Sequence, residues 1–213
     1  MNNQKGCHNT QADIYDSIVQ LNLNGYIREN YFEILDRVIE ASKIKEEMSV
    51  LDIGVGTGLL WERISVKLNI FGMDISEKML NKIQQKRLPV QVIIGDFLNI
   101  PFLNNSFDRI ISTFAFHHLT FEEKEQAFLE MDRVLKPCGI IVIGDFMFEN
   151  EARKDDLLKK FSDEECTDML KEFEDEYYTN IEETKKFLCP LGYKVDCEKG
   201  STISWILKSV KLY

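Results

Sequence analysis

Between residues 49 and 143 the chain carries short, uninterrupted apolar runs: Ser49–Ile53, Ile70–Asp74, Val90–Ile94, Arg109–Thr113 and Ile140–Ile143. A strand with one face in water alternates apolar and polar residues, and these runs do not. They read as strands of a parallel sheet covered on both faces. Helical stretches fall between them: Leu59–Lys67, a helix from Glu77 with Ser76 as its cap, and one from Thr120 to about Leu135. Thr120 and Glu123 have the three-residue spacing of a capping box, and Pro137-Cys138-Gly139 is expected to end that helix before the fifth strand. Such strand–helix alternation predicts a doubly wound α/β fold.

The flanks read differently. Residues 10–43 are expected to be helical, with Ile14, Ile18 and Leu21 on one face and a break near Asn24-Gly25. Residues 150–188 read as acidic helices, with further capping boxes at Ser162–Glu165 and Thr179–Glu182. After Pro190-Leu191-Gly192, the segments Tyr193–Glu198 and Thr202–Val210 flank Lys199-Gly200-Ser201 as a β-hairpin, which makes the sheet mixed.

Directly behind the first strand stands Gly54-Val55-Gly56-Thr57-Gly58. In a doubly wound sheet, ligands lie beyond the carboxyl ends of the strands. Glycine there admits positive φ and lets a ligand rest on bare backbone. The spacing G-x-G-x-G differs from the dinucleotide pattern G-x-G-x-x-G, and no P-loop pattern occurs. Asp74 ends the second strand twenty residues after Gly54, where a carboxylate can accept both hydroxyls of a ribose. That placement suits nicotinamide and S-adenosylmethionine sites alike. Asp96 and Phe97, just past the third strand, offer an acceptor for an adenine amino group and a flanking ring.

At 213 residues with 44% hydrophobic and 29% charged residues, the chain has the size and composition of one globular domain over residues 1–213. No apolar run approaches a membrane span, the polar N-terminus has no signal-peptide pattern, and a cytoplasmic location is the expectation. Five scattered cysteines suit reduced thiols rather than a disulfide framework or a zinc site. Between Glu149 and Thr184 there are 14 acids against 5 bases, so this segment holds −9 of the net −10. A nucleic-acid partner calls for a basic face, and none is visible.

The segments VLDIGVGTG (50–58), GMDIS (72–76), IIGDFLNIPF (93–102), FDRIISTFAFHHL (107–119) and EMDRVLKPCGIIVIGDF (130–146) together resemble the class I S-adenosylmethionine-dependent methyltransferases, over about residues 10–148. One departure is Pro137-Cys138-Gly139, where the family usually has Pro-Gly-Gly. The resemblance implies a mostly parallel seven-stranded sheet with a C-terminal antiparallel hairpin and helices on both faces. It implies S-adenosyl-L-methionine as cofactor and a small-molecule methyl acceptor, with no nucleic acid or membrane as partner. By the same resemblance, Gly54, Gly56 and Gly58 line the methionine and ribose, Asp52 helps hold the amino group, and Asp74 takes the ribose hydroxyls. Ile75 packs on adenine, Asp96 with Phe97 meets its amino side, Ser112 and Thr113 end near the sulfonium, and Tyr15 reaches the carboxylate.

Methyl transfer from a sulfonium requires alignment and exclusion of water, and a base only where the nucleophile carries a proton. His117, His118 and Asp145, after the fourth and fifth strands, are the candidate bases. No metal is expected, because neighbouring histidines tend to point apart and the sequence shows no third ligand. The segment 147–190 is expected to lie over the acceptor, with Phe146, Met147, Phe148, Phe161, Phe173, Tyr177 and Tyr178 available as walls. A protein or RNA methyltransferase, a nicotinamide-dependent dehydrogenase and a non-catalytic cofactor sensor are the competing readings.

Overall fold

The computed structural model describes residues 12, 14–21, 25–65 and 67–213. The helices are α1 (Tyr15–Leu21), α2 (Tyr31–Ser42), α3 (Glu77–Lys86), α4 (Phe121–Val134), α5 (Glu151–Asp163), α6 (Thr167–Asp175) and α7 (Ile181–Leu188). The strands are β1 (Ser49–Ile53), β2 (Asn69–Asp74), β3 (Val90–Ile94), β4 (Phe107–Thr113), β5 (Leu135–Phe148), β6 (Thr179–Asn180), β7 (Tyr193–Lys199) and β8 (Ser204–Lys211). They form one sheet in the order β3-β2-β1-β4-β5-β8-β7, and β6 adds two residues beside the end of β5. All pairs from β3 to β5 are parallel; β8 and β7 are antiparallel additions. The expected mixed, mostly parallel sheet with helices on both faces is what the chain forms.

The uninterrupted apolar runs have a direct packing cause. Successive residues of a strand face opposite sides, and in the central strands β1, β4 and β5 both sides are dry, whereas the edge strand β3 leaves Gln91 and Ile94 exposed. Val50, Ile111 and Val142 enter one core with Leu35 and Val38 of α2 and Ile83 of α3. Leu51, Ile110 and Ile141 enter the other with Phe128 and Met131 of α4 and Leu188 of α7. The chain reverses direction of winding between β1 and β4, so the ends of those two strands open onto the crevice where such folds bind ligands.

Ser76 accepts the Met79 amide at 3.2 Å, and Thr120 with Glu123 closes a full capping box. Elsewhere tertiary contacts overrule local pattern. Among the described residues of 59–67, helical structure is limited to a 3-10 turn at Trp61–Arg63, where the Trp61 indole turns inward to Asp52 and Ile64 is already extended. Ser162 lies in the last turn of α5, and α6 starts at Cys166 without a side-chain cap. The cap of α7 is Asn180, one residue beyond the expected Thr179, and its Oδ1 accepts the Glu183 amide at 3.2 Å. Pro137-Cys138-Gly139 does not delay the fifth strand. It is a bulge inside it, where the register jumps from Phe107↔Leu135 to Arg109↔Ile140 and Cys138 takes a φ of 61°.

At the N-terminal side α1 buries Val19, whereas Ile14 and Leu21 are 54% and 83% exposed, so the expected apolar stripe is not the buried face. The parts of the 10–43 expectation at residues 10, 11, 13 and 22–24 lie outside the described residues, as does Cys7. Cys138, Cys166, Cys189 and Cys197 are free thiols. Among the described residues, no helix is long and apolar enough to cross a membrane.

Candidate cofactor and acceptor site

A cavity of about 520 Å³ lies over the carboxyl ends of β1, β2 and β4. The glycine turn forms its floor. Gly54, Gly56 and Gly58 have φ of 75°, 55° and 82°, a region that side chains resist. A Cβ on Gly54 would stand 2.3 Å from that of Ala115, in the loop after β4, so the methyl of Ala115 occupies the space a side chain on Gly54 would need. A Cβ on Gly56 would meet no protein atom within 4 Å, and Gly56 lines the cavity. Gly58 packs instead against Ile83 and Leu88, behind the lining.

Asp74 stands at the end of β2. Its carboxylate accepts the Gly56 amide at 2.9 Å and the Ser76 amide at 2.8 Å, which ties strand end and glycine turn together. Asp96 uses Oδ1 to accept the Leu98 and Asn99 amides. Asp74, Ile75, Asp96 and Phe97 all line the cavity, as do Tyr15 and Thr113. Asp52 and Ser112 do not: both are buried behind it. Asp52 Oδ2 accepts the Trp61 indole proton at 2.7 Å, and its Oδ1 has no partner. Burial, with the Asp74 charge adding to it and the Trp61 bond opposing it, pushes the Asp52 carboxyl up to about 7.

Above the glycine turn, α1 is clasped down. The Thr57 hydroxyl donates to Asp16 Oδ1 at 2.5 Å, and Lys86 pairs with Asp16 and Glu62, each at 2.6 Å. Beside Tyr15, the Arg28 guanidinium lies 5.9 Å from that ring's centroid and 5.5 Å from Tyr31's.

The other end of the cavity is built around Asp145, which is fully buried at the end of β5. Its Oδ2 accepts the amides of Ala115, Phe116 and His117 at 3.1, 2.6 and 3.1 Å, and its Oδ1 accepts the Phe146 amide at 2.7 Å. The same Oδ1 lies 2.6 Å from His117 Nδ1. Burial opposes the charge on Asp145, yet the His117 contact and the amides hold its carboxyl below the usual range. An ionised carboxylate only accepts, so a neutral His117 carries its proton on Nδ1 and presents a lone pair on Nε2. His117 lines the cavity; Asp145 is its support from behind.

His118 does not point away from its neighbour. The two imidazole centroids are 4.0 Å apart, and His118 Nδ1 lies 2.8 Å from Glu176 Oε2, just past α6. Burial and then the neighbouring His117 lower the His118 pKa, against the pull of Glu176. Glu172, which also lines the cavity, is shifted upward by burial and by Glu176. Lys124 donates to the carbonyls of Leu119 and Tyr177, joining this loop to the segment after α6; burial lowers it to about 8. Of the aromatic walls expected from 146–178, Phe146 lines the cavity, while Phe148, Phe161 and Tyr178 are core and Tyr177 is exposed.

Sequence reasoning missed Asp16, Arg28, Lys86, Glu172 and Glu176. The four-residue spacing of Glu172 and Glu176, which puts two acids on one helical face, was a usable signal; the Asp16 partners, Thr57 and Lys86, lie too far along the chain to leave one.

The residues present suit S-adenosyl-L-methionine. Gly56 leaves open space over bare backbone, Asp74 and Asp96 stand one strand apart along the cavity, and a buried acid with an unpaired oxygen lies behind the turn.

Comparison with known proteins agrees. A family model described as a methyltransferase domain matches residues 50–139. An uncharacterized methyltransferase of Alkaliphilus oremlandii is 34% identical over 204 residues, covering 94% of each chain. One of Oceanobacillus iheyensis is 35% identical over 205 residues, again with 94% of each chain. The crystal structure of an S-adenosyl-L-methionine-dependent methyltransferase from Aquifex aeolicus superposes with a TM-score of 0.60 at 22% identity, covering 92% of this chain and 97% of that one. With this glycine turn, these acids and these relatives, the chain belongs to the S-adenosyl-L-methionine-dependent methyltransferases.

Proposed function

We propose that the enzyme methylates a small molecule whose acceptor atom carries a proton, and that His117 removes that proton. The observation that carries this reading is the continuity of one cavity from Asp74 and Asp96 to His117, whose Nδ1 is held by Asp145. A volume of about 520 Å³ falls in the range of small-molecule sites. The acids Glu172 and Glu176 along its lining, with the net charge of −10, disfavour a phosphate-bearing acceptor.

In this reading Asp74 receives the ribose hydroxyls, while Ile75, Asp96 and Phe97 flank the base. Gly54, Gly56 and Gly58 shape the turn beneath the methionine part, and Tyr15 reaches its carboxylate. Thr113 borders the transfer position, and Ser112 and Asp52 act from behind the lining, Asp52 through its charge toward the amino group. The bound cofactor supplies a methyl group on positively charged sulfur, already activated for displacement. His117 Nε2 takes the acceptor's proton, and Asp145 stabilises the imidazolium that results. The loop after β4 and Phe146 keep water from the acceptor.

The first test is a thermal-shift and calorimetric comparison of S-adenosylmethionine, its demethylated product and NAD, repeated with Asp74→Ala. The first two should bind and NAD should not, and Asp74→Ala should lose at least tenfold in affinity, since one charged hydrogen bond is worth about 1.5–3 kcal/mol. An acceptor panel of amines, phenols, thiols and carbon acids follows, with wild type and His117→Gln. Loss of about a hundredfold or more in kcat at unchanged cofactor affinity is expected for His117→Gln. Stabilisation by NAD alone, or full turnover by His117→Gln, defeats the proposal.

A further inference from the structure

We infer that His117, His118 and Glu176 form a binding site for one divalent transition-metal ion of the zinc class. Each of the three offers a ligand atom, and these atoms all lie within 4.8 Å of one another. They come from places far apart in the chain: the histidines from the turn after β4, and Glu176 from the end of α6. The approach of the two imidazoles to 4.0 Å, at an interplanar angle of 54°, shows that the turn aims both rings to one side.

The donor set is specific. Two imidazoles and one carboxylate are a common ligand set of zinc sites that keep a position open, whereas magnesium and calcium take oxygen. His118 Nδ1 and Glu176 Oε2, 2.8 Å apart, share a proton in the metal-free protein. An ion would take that proton's place with a modest widening of the gap. His117 supplies the third ligand through Nε2, because its other nitrogen is committed to Asp145. Asp145 is itself immobilised by the amides of Ala115, Phe116, His117 and Phe146. A carboxylate that orients a ligating imidazole from behind is the support such sites require. All three ligands are buried or half-buried, which sets them apart from surface acids, and all three line the cavity. The remaining coordination position therefore opens onto the space assigned to the acceptor.

The consequence for turnover rests on the reading of His117 as base; the site itself does not. Ion and proton compete for the same lone pair on His117 Nε2. A loaded enzyme has no base there, and methyl transfer to a proton-bearing acceptor stops.

The test titrates the cofactor-free protein with Co²⁺, read by its visible absorption, and with Zn²⁺, read by calorimetry in the presence of a competing chelator. One ion per chain is expected, with the intense bands of a low-coordinate cobalt site. Glu176→Gln and His118→Gln should each weaken binding by tenfold or more while far-ultraviolet circular dichroism remains that of the wild type. No saturable binding, or binding undiminished by both substitutions, overturns the site. A final arm adds Zn²⁺ to a turnover assay. Inhibition that Glu176→Gln relieves supports both site and base. Stoichiometric binding with turnover unchanged leaves the site standing and removes His117 as the base.

Discussion

The two ends of the cavity are built by different rules. The end proposed for the nucleoside comes from consecutive strand ends, Gly54 after β1, Asp74 at the end of β2 and Asp96 after β3, and its glycine turn takes a backbone conformation that side chains resist. The end proposed for the acceptor comes from one turn after β4, one acid near the end of β5 and two acids in and just past α6, joined by side-chain contacts across the molecule. The first end depends on conformation and the second on partners. Substitutions should therefore fail in different ways at the two ends.

The largest effect is expected in the glycine turn, and it separates protein shape from ligand shape. In Gly54→Ala the new Cβ meets Ala115 at 2.3 Å on a backbone of φ 75°. Steric and conformational strain together should remove on the order of 4 kcal/mol of stability. Gly56→Ala meets no protein atom, so its folding cost should stay near the roughly 1–2 kcal/mol of a left-handed alanine. Its cofactor affinity should nevertheless fall at least tenfold, because that space lies open to the cavity. Denaturant unfolding beside calorimetry distinguishes the two. Equal affinity in wild type and Gly56→Ala would mean that the ligand does not lie on this turn.

At the acceptor end the expected loss is in rate. Asp145→Asn replaces an acceptor-only group with one whose NH₂ must face either His117 or the amides of residues 115–117. The imidazole then loses its fixed tautomer, and kcat should fall by about a hundredfold or more. Cofactor affinity should change less than about threefold, measured on the same preparation. A matching loss of affinity would show that the two ends are one cooperative unit.

This contrast also explains what could be read from the chain before its structure. β1 to β4, the Ser76 cap and the Thr120–Glu123 box are local: burial on both faces demands continuous apolar residues in β1 and β4, the apolar run of the edge strand β3 needs only partial cover, and a cap needs only its own first turn. Asp74 and Asp96 were legible because strand ends locate them. Leu59–Lys67 was misread because the Trp61 indole serves Asp52 from outside its own periodicity. The cap of α7 falls one residue past Thr179, at Asn180, and both residues pair with β5, a contact that no local pattern announces. Neighbouring histidines tend to point apart, but the 3-10 turn at Phe116–His118 brings these two rings together. Glu176 joined them only through the path of α6.

Asp52 tests the nucleoside end through pH. Its carboxyl titrates near 3.8 in the unfolded chain and at about 7 when buried. Between those values the native state holds the extra proton, so stability is fully present below about 4 and is lost as pH rises to about 7. At roughly 1.4 kcal/mol per unit, the loss is on the order of a few kcal/mol. Asp52→Asn should abolish this slope and leave the cofactor-free protein more stable than wild type at pH 8. Its cofactor affinity should fall in return, since the amide offers no charge to an ammonium. Urea midpoints at pH 5 and 8, with parallel slopes in the two proteins, would show that Asp52 is not the group responsible.

The smallest effect concerns the clasp that closes α1 over the turn. Asp16 accepts the Thr57 hydroxyl and pairs with Lys86, and neither charged side chain is fully buried: 32% and 22% exposed. A pair that keeps part of its hydration contributes about 1 kcal/mol or less. Asp16→Asn retains an oxygen for Thr57 and removes only the charge. Global stability should therefore change by less than about 1 kcal/mol. What should change is the ease with which α1 lifts, because Tyr15 and Asp16 are adjacent and both lie against the cavity wall or its floor. Hydrogen exchange at residues 15–21 should accelerate several-fold in the cofactor-free variant, and added cofactor should restore protection if Tyr15 reaches its carboxylate end. Acceleration that cofactor leaves untouched would show that Tyr15 does not reach the cofactor's carboxylate and that α1 is held over the turn by contacts within the protein alone.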